Sequence, residues 1–76
     1  MVVGIKQTLR MIEQGRVTEL FVAEDADLYV VRHVVDAAAS GGIPVTYIES
    51  MKQLGQMSGI DIGASVAGRL IDEQQN

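Results

Sequence analysis

Three polar side chains near the N-terminus, Lys6, Gln7 and Arg10, are grouped in a way that local stability does not explain. In a helix, Lys6 and Arg10 share a face and repel each other, and Lys6 lies at the positive end of the helix dipole. Gly4 precedes them and allows a bulky partner to approach the backbone amides. Together they form a set of donors suited to phosphates and to guanine O6 and N7. A solvated helix face explains the same residues equally well.

Other polar residues that could do chemistry are explained more simply by structure. His33 lies among valines in a predicted helix, where a packed or half-exposed histidine is commoner than a general base. Glu24, Asp25 and Asp27 could bind a cation, but a helix cap in a solvated loop accounts for them. The chain has no cysteine and no phosphate-binding G-x-x-x-x-G-K-S/T loop. We therefore expect no catalytic site, no metal site and no cofactor.

Two branched apolar residues, Ile60 and Ile62, flank Asp61 in a segment between Gly59 and Gly63. They could fill the core. Alternatively, one or both stand out from the surface and offer an apolar contact to an unstacked base or a partner side chain. Because the flanking glycines favour a mobile loop near the surface, we expect at least one isoleucine to be exposed.

The first half of the chain predicts two helices, each preceded by a strand. After the short apolar run 2–3, apolar residues recur at helical spacing from Ile5 for about ten residues, and Gly15 is expected to follow the helix end. The run 19–23 is typical of a buried strand. Asp27 is expected to cap the second helix, whose inner face is assigned to Leu28, Val31, Val35 and Ala38.

The second half of the chain continues the alternation. Residues 40–42 end the second helix, and 45–48 are predicted to form a strand. In the segment 50–53, Ser50 and Gln53 have the spacing of a capping box at the start of a third helix. Residues 65–71 predict a last strand, and 72–76 a frayed polar tail. This alternation indicates a layered α/β domain with a mainly parallel sheet and helices on both faces.

The length and composition of the chain limit it to one small domain. Its 76 residues, 47% of them hydrophobic and 21% charged, are typical of a folded chain rather than a disordered one. We expect a single domain over 1–76 whose function lies on its surface, because so short a chain has little room for an enclosed cavity. No apolar run is long enough for a signal peptide or a membrane span, so we expect a cytoplasmic protein without a membrane partner.

Five short motifs, weak singly, occur in an order and spacing that resembles a known family. They cover nearly the whole chain: Gly4-Ile5-Lys6-Gln7-Thr8-Leu9-Arg10, Val22-Ala23-Glu24-Asp25-Ala26-Asp27, Ile43-Pro44-Val45, Glu49-Ser50-Met51-Lys52-Gln53-Leu54-Gly55 and Gly59-Ile60-Asp61-Ile62-Gly63-Ala64-Ser65. This arrangement is similar to the L7Ae family of ribosomal proteins, and most similar to its short bacterial, YbxF-like members.

The resemblance implies a three-layer α/β/α sandwich on a four-stranded mixed sheet, with the last strand antiparallel to the others. It also implies binding of kink-turn RNA, a structured RNA in which a bulge beside tandem sheared G·A pairs bends a duplex sharply. Family members read the G·A guanines with polar residues at the start of the first helix. That role would fall on Lys6, Gln7 and Arg10, with Gly4 allowing close approach.

Two further contacts follow from the same resemblance. The apolar loop that flanks the bulge in the family corresponds to Ile60, Asp61 and Ile62. A phosphate contact is expected from Lys52, one position later than the lysine of the larger members. Those members also have Asn-Glu where this chain has Lys6-Gln7, whereas the short bacterial members favour Lys-Gln.

The formal net charge of −4 works against general attraction to RNA. We expect the cations at positions 6, 10 and 52 to converge while the acidic residues at the start of the second helix and in the tail point elsewhere. The sequence thus predicts a non-enzymatic, monomeric RNA-binding protein that acts with ribosomes or a regulatory RNA. The alternative is a protein-interaction module of the same fold whose acidic surface faces a basic partner.

Overall fold

The computed structural model describes residues 1–73. In chain order, its elements are β1 (Val2–Val3), α1 (Ile5–Glu13), β2 (Val17–Ala23), α2 (Leu28–Ser40), β3 (Val45–Ile48), α3 (Met51–Met57), β4 (Val66–Leu70) and a short 3₁₀ helix (Ile71–Glu73). Every predicted helix and strand is present. The 3₁₀ helix takes up the first two residues of the predicted frayed tail, and Asp72 forms an ion pair with Arg16, so that prediction is wrong there. The rest of the tail lies outside the described residues.

The four strands form one mixed sheet in the order β1-β4-β2-β3. β2 and β3 are parallel, whereas β4 runs antiparallel to both β1 and β2. The mixed sheet implied by the family resemblance is confirmed, and the mainly parallel sheet expected from the alternation of elements is wrong. The physical reason is the short α3: the chain after it doubles back, and the Ala64 N–H donates to the Met51 carbonyl at 3.0 Å. β4 therefore starts at the edge where β3 ends.

The helices cover the sheet in the three-layer α/β/α arrangement. α1 and α2 pack against each other and against the sheet, while α3 contacts β2, β3 and β4. The largest fully buried side chains come from the two central strands and from the helices beside them: Leu20, Val22, Val66, Val31, Val34 and Leu54. The core therefore holds the strand ends, and the segments that follow them, in fixed positions.

The helix boundaries follow the capping signals of the sequence. The Asp27 side chain accepts a hydrogen bond from the Tyr29 N–H at 2.9 Å, and the Ser50 hydroxyl accepts one from the Gln53 N–H at 3.0 Å. Within residues 1–73 the Gln53 side chain makes no return bond, so only half of the predicted capping box forms. The end of α1 at Gly15 is confirmed.

The inner face of α2 differs from the predicted one. Val31 and Ala38 are buried as predicted, but the fully buried Val34 was not predicted, Val35 is only partly buried, and Leu28 is 74% exposed. At the first turn the helix face overhangs the edge strand, where Leu28 lines an open groove with Tyr47. α2, with 13 residues, is the longest helix, and among the described residues no helix is long and apolar enough to cross a membrane.

Candidate nucleic-acid interface

One edge of the sheet gathers the segments that the sequence singled out. β1, β2 and β3 end there and β4 begins there. The Gly4 N–H donates to the Val66 carbonyl at 3.2 Å, and the Ala23 N–H donates to the Ser65 carbonyl at 2.9 Å. We call this region the carboxyl edge; it comprises residues 4–7, 24–27, 49–52 and 58–65.

The start of α1 presents unpaired donors at the carboxyl edge. Among residues 1–73 no side chain caps the helix, and the first amide bonded within it is that of Thr8, which donates to the Gly4 carbonyl at 2.9 Å. The amides of residues 5–7 therefore have no partner within the helix. Lys6, Gln7 and Arg10 are exposed, and none of their side chains pairs with another described residue. This is the arrangement that an anionic or base-edge ligand requires.

Gly4 is shaped for this position. Its φ of 102° lies in the region that favours glycine, and a Cβ there would come within 2.7 Å of the Gln7 Oε1 atom. The side-chain amide of Gln7 thus lies directly over the Gly4 backbone. The structure brings together Gly4, Lys6 and Gln7, and it places Arg10 one turn further along the exposed side of α1.

The loop between β2 and α2 is joined to α3 by a hydrogen bond that the sequence did not reveal. The Asp25 Oδ1 atom accepts from the Met51 N–H at 2.8 Å, across 26 positions of sequence. Asp27 caps its own helix, but no local pattern marks Asp25 as the partner of a helix that starts so much later. Asp25 therefore fixes the first turn of α3, which carries Lys52.

The charges at the carboxyl edge are mixed rather than separated. Of the six basic residues, Arg16 and Arg69 pair with Asp72 and Glu19 at the opposite edge, at 3.0 and 3.6 Å. Lys6 and Lys52 lie in the first turns of α1 and α3, so they flank the carboxyl edge from helices on opposite faces of the sheet. Five carboxylates share this edge: Glu24, Asp25, Asp27, Glu49 and Asp61. The acidic residues before α2 lie at the same edge as Lys6, because β2 and β1 both end there, but the carboxylates of Asp25 and Asp27 accept from the Met51 and Tyr29 amides.

The segment 58–65 packs directly on α3. A Cβ at Gly55 would overlap the Ile62 carbonyl oxygen, and one at Gly63 would lie 3.1 Å from the Met51 Cβ. The Ile60 N–H donates to the Gly55 carbonyl at 3.0 Å. The segment is therefore attached to α3 at both ends, in contrast to the free loop that its glycines suggested.

The two isoleucines of this segment have different environments. Ile60 is partly buried and packs against the hydrophobic core, whereas Ile62 is 74% exposed. Asp61 between them is also exposed. Each alternative raised by the sequence thus applies to one residue, and the prediction that at least one isoleucine is exposed is confirmed. Only Ile62 and Asp61 are fully available to a ligand.

This difference predicts stability effects of different size for the same substitution. Ile60→Ser should lower the free energy of unfolding by about 1–2 kcal/mol, because it removes a partly buried aliphatic side chain. Ile62→Ser should change it by less than about 0.5 kcal/mol, the range for exposed positions. Urea unfolding of both variants measures the difference. Equal losses of unfolding free energy would show that Ile60 is not more buried than Ile62.

The other residues considered for chemistry do not form a second site. His33 is exposed on α2 and forms no ion pair with a carboxylate among residues 1–73. Among residues 1–73, no three His, Cys, Asp or Glu side chains are grouped so that they could hold a metal ion. Within the chain described, the carboxyl edge is the surface where candidate residues from several segments meet.

Comparisons with known proteins give the family. The model of the ribosomal protein L7Ae/L30e/S12e/Gadd45 family matches residues 1–76. The RNA-binding protein TTE2299 of Caldanaerobacter subterraneus subsp. tengcongensis is 42% identical over 73 residues, covering 96% of this chain and 89% of that protein. The RNA-binding protein YbxF of Geobacillus stearothermophilus is 45% identical over 69 residues, covering 91% and 84%.

Solved structures agree on the fold. The Giardia lamblia 15.5kD RNA binding protein superposes with a TM-score of 0.80 at 27% identity, over 87% of this chain and 56% of that one. A protein with unknown function from Bacillus halodurans C superposes with a TM-score of 0.79 at 25% identity, over 88% and 67%. Because the family model matches its whole length and curated relatives match most of it, the chain belongs to the ribosomal protein L7Ae/L30e/S12e/Gadd45 family.

Proposed function

We propose that this protein binds kink-turn RNA at the carboxyl edge and that it acts by binding rather than by catalysis. The observation that carries the proposal is the start of α1, where Lys6 and Gln7 are exposed and, together with three helix amides, have no partner among residues 1–73. Two curated relatives that match over most of this chain are named RNA-binding proteins. A set of donors at one helix start suits guanine edges and the phosphates beside them.

Each residue of the carboxyl edge has a distinct role in this proposal. Lys6 and Gln7 contact the guanines of the sheared G·A pairs, and Gly4 lets the RNA approach the helix start. Arg10 and Lys52 contact phosphates. Ile62, with its side chain exposed, packs on the bulge, while Ile60 holds the segment on the core rather than contacting RNA. Asp61 lies between them and is available as a hydrogen-bond acceptor.

The mixed charge of the carboxyl edge determines how the RNA would be recognised. Lys6 and Lys52 at this edge, and Arg10 one helical turn away, are cations without an ion-pair partner among residues 1–73, and the carboxylates of Glu24, Glu49 and Asp61 lie along the same edge. Few counterions are released when so few phosphates are neutralised. Selectivity then comes from base edges and from the bent shape of the RNA, not from general attraction.

The small number of cations predicts a shallow salt dependence. With three to four phosphate contacts, made by Arg10, Lys52 and the amides at the start of α1, the slope of log K against log salt concentration should be about −2 to −4. Fluorescence anisotropy titrations of a labelled kink-turn hairpin between 50 and 300 mM KCl, on the order of the physiological range, measure it. A slope near about −8 would require a much wider basic surface than the carboxyl edge offers, and the proposed contacts would then be wrong.

A protein-interaction role is the second candidate, and the carboxylates favour it. Glu24, Glu49 and Asp61 cap no helix in the described chain and would suit a basic protein partner. The same titrations distinguish the two roles, because a chain that binds only proteins leaves the hairpin anisotropy unchanged at every salt concentration. For the RNA-binding role we place the protein in the cytoplasm, with ribosomes or a regulatory RNA, as befits a family that includes ribosomal proteins.

A further inference from the structure

An open apolar groove lies between α2 and the edge strand β3, on a part of the molecule that the proposed RNA contacts do not use. Its volume is about 260 Å³, and two of its apolar side chains are strongly exposed, Leu28 at 74% and Tyr47 at 51%. Exposed apolar side chains that line one concave surface are typical of a site for a partner. The groove is lined by Leu28, Val31, Arg32, Val35, Asp36 and Tyr47.

The charged side chains in this groove would complement those of a second copy of the chain related by a two-fold axis. Arg32 and Asp36 lie four residues apart on α2, so they share one wall of the groove. Neither side chain forms an ion pair with another described residue. If two α2 helices meet antiparallel through their exposed faces, with the two-fold axis passing midway between Arg32 and Asp36, Arg32 faces Asp36 of the partner subunit and the reverse contact is identical. One surface thereby supplies both halves of two ion pairs.

The edge strand fits the same symmetry. β3 is the edge strand of the sheet. The Pro44 carbonyl accepts from the Leu20 N–H of β2 at 2.9 Å, and the Ile48 carbonyl accepts from the N–H of Glu24, just after β2, at 2.7 Å. Because the bonding direction alternates along a strand, the backbone groups of Val45 and Tyr47 point away from the sheet. A second β3 edge related by the two-fold axis runs antiparallel to the first and offers the same groups in return.

Simple geometry shows that both contacts can form at once. α2 contacts both β2 and β3, so it lies over the space between them. With strands about 4.8 Å apart, two such sheets joined at β3 place their α2 axes about 10 Å apart. That separation is at the upper end of the roughly 8–10 Å at which helices pack. The exposed Leu28 side chains then fill space between the helices.

We propose that two copies of this chain associate through the α2–β3 groove, forming a two-fold dimer with a continuous sheet. The dimer replaces the monomer expected from the sequence. It leaves the proposed RNA contacts on α1 free, because α1 lies over β1 and β4, towards the edge of the sheet opposite β3. Six residues line the groove, whereas a standard interface buries about 800 Å² and about 20–30 residues per partner. The association is therefore weak and depends on concentration.

Sedimentation equilibrium of the full chain, without RNA and up to about 1 mM, tests this proposal. The parent should shift from the mass of one chain towards that of two. Arg32→Asp and Asp36→Arg each place like charges in contact across the axis and should weaken the dimer about tenfold or more. An equimolar mixture of the two variants should associate again, because each then meets opposite charges. The double variant R32D/D36R should also dimerise.

Lys52→Asp and Glu13→Arg change the net charge by the same amounts at other exposed positions, and they should leave the association unchanged. A parent that stays monomeric at the highest concentration overturns the proposal. So does a parent dimer that both Arg32→Asp and Asp36→Arg leave intact, or a mixture of the two that associates no better than either alone. RNA binding by any of these proteins is a separate measurement, so failure of the dimer does not bear on the proposed function.

Discussion

Gly55→Ala should lower the free energy of unfolding by about 3 kcal/mol, the upper end of the usual cost of overpacking. The new Cβ would overlap the Ile62 carbonyl oxygen, a backbone atom that cannot rotate away. Relief requires the segment 58–65 to move off α3, which would also break the bond between the Ile60 N–H and the Gly55 carbonyl. Because Ile62 moves with this segment, the variant should also bind kink-turn RNA more weakly than its stability alone explains.

The matched control is Gly59→Ala in the same segment. Gly59 has a φ of 78° and nothing within 4 Å of a Cβ, so alanine there meets backbone strain of about 1 kcal/mol without a collision. Urea unfolding compares the two variants, with the same dependence of unfolding free energy on urea concentration used for both. If Gly55→Ala costs no more than Gly59→Ala, the segment does not lie on α3 as described.

Lys6→Ala and Gln7→Ala should each weaken kink-turn binding by about 1–3 kcal/mol, which is about 5-fold to 150-fold in the dissociation constant. Both side chains are exposed and unpaired in the described chain, so their loss removes contacts to RNA and hardly any within the protein. Lys6→Ala should even relieve repulsion from Arg10. Thermal unfolding beside the RNA titrations checks that stability is retained.

Two variants at the other end of α1 serve as controls. Gln14→Ala removes an exposed glutamine just after the helix, and Arg16→Ala removes an exposed cation whose ion pair with Asp72 is worth little. Both should bind the hairpin nearly as well as the parent. If the variants at positions 6 and 7 bind no more weakly than these controls, the start of α1 is not the RNA contact.

The features that the sequence predicted correctly are those set by neighbouring residues. Asp27 and Ser50 cap helices through bonds to amides two and three positions away, so the pattern of a few residues is enough. Lys6 and Gln7 were conspicuous because local stability does not favour Lys6 at a helix start beside Arg10. The direction of β4 depends instead on the bond between Ala64 and Met51, which forms only when the chain doubles back.

The same limit applies within the candidate site. Ile60 and Ile62 are two positions apart in one motif, and only the attachment of the segment to α3 decides that Ile60 packs on the core while Ile62 is exposed. The bond from Asp25 to Met51 likewise joins segments 26 positions apart. Leu28 has helical spacing for burial, but the sheet does not extend beneath it. Each of these features depends on contacts between segments that come together only in the folded sheet.

The central claim is that this chain recognises the G·A pairs of a kink-turn, and a paired titration tests it most directly. One hairpin contains the kink-turn, and the other is identical except that Watson-Crick pairs replace the tandem sheared G·A pairs. At equal salt, the chain should bind the kink-turn hairpin at least about tenfold more tightly, since each base-edge contact is worth about 1–3 kcal/mol. Equal affinity for the two hairpins, or binding to neither, would contradict the account.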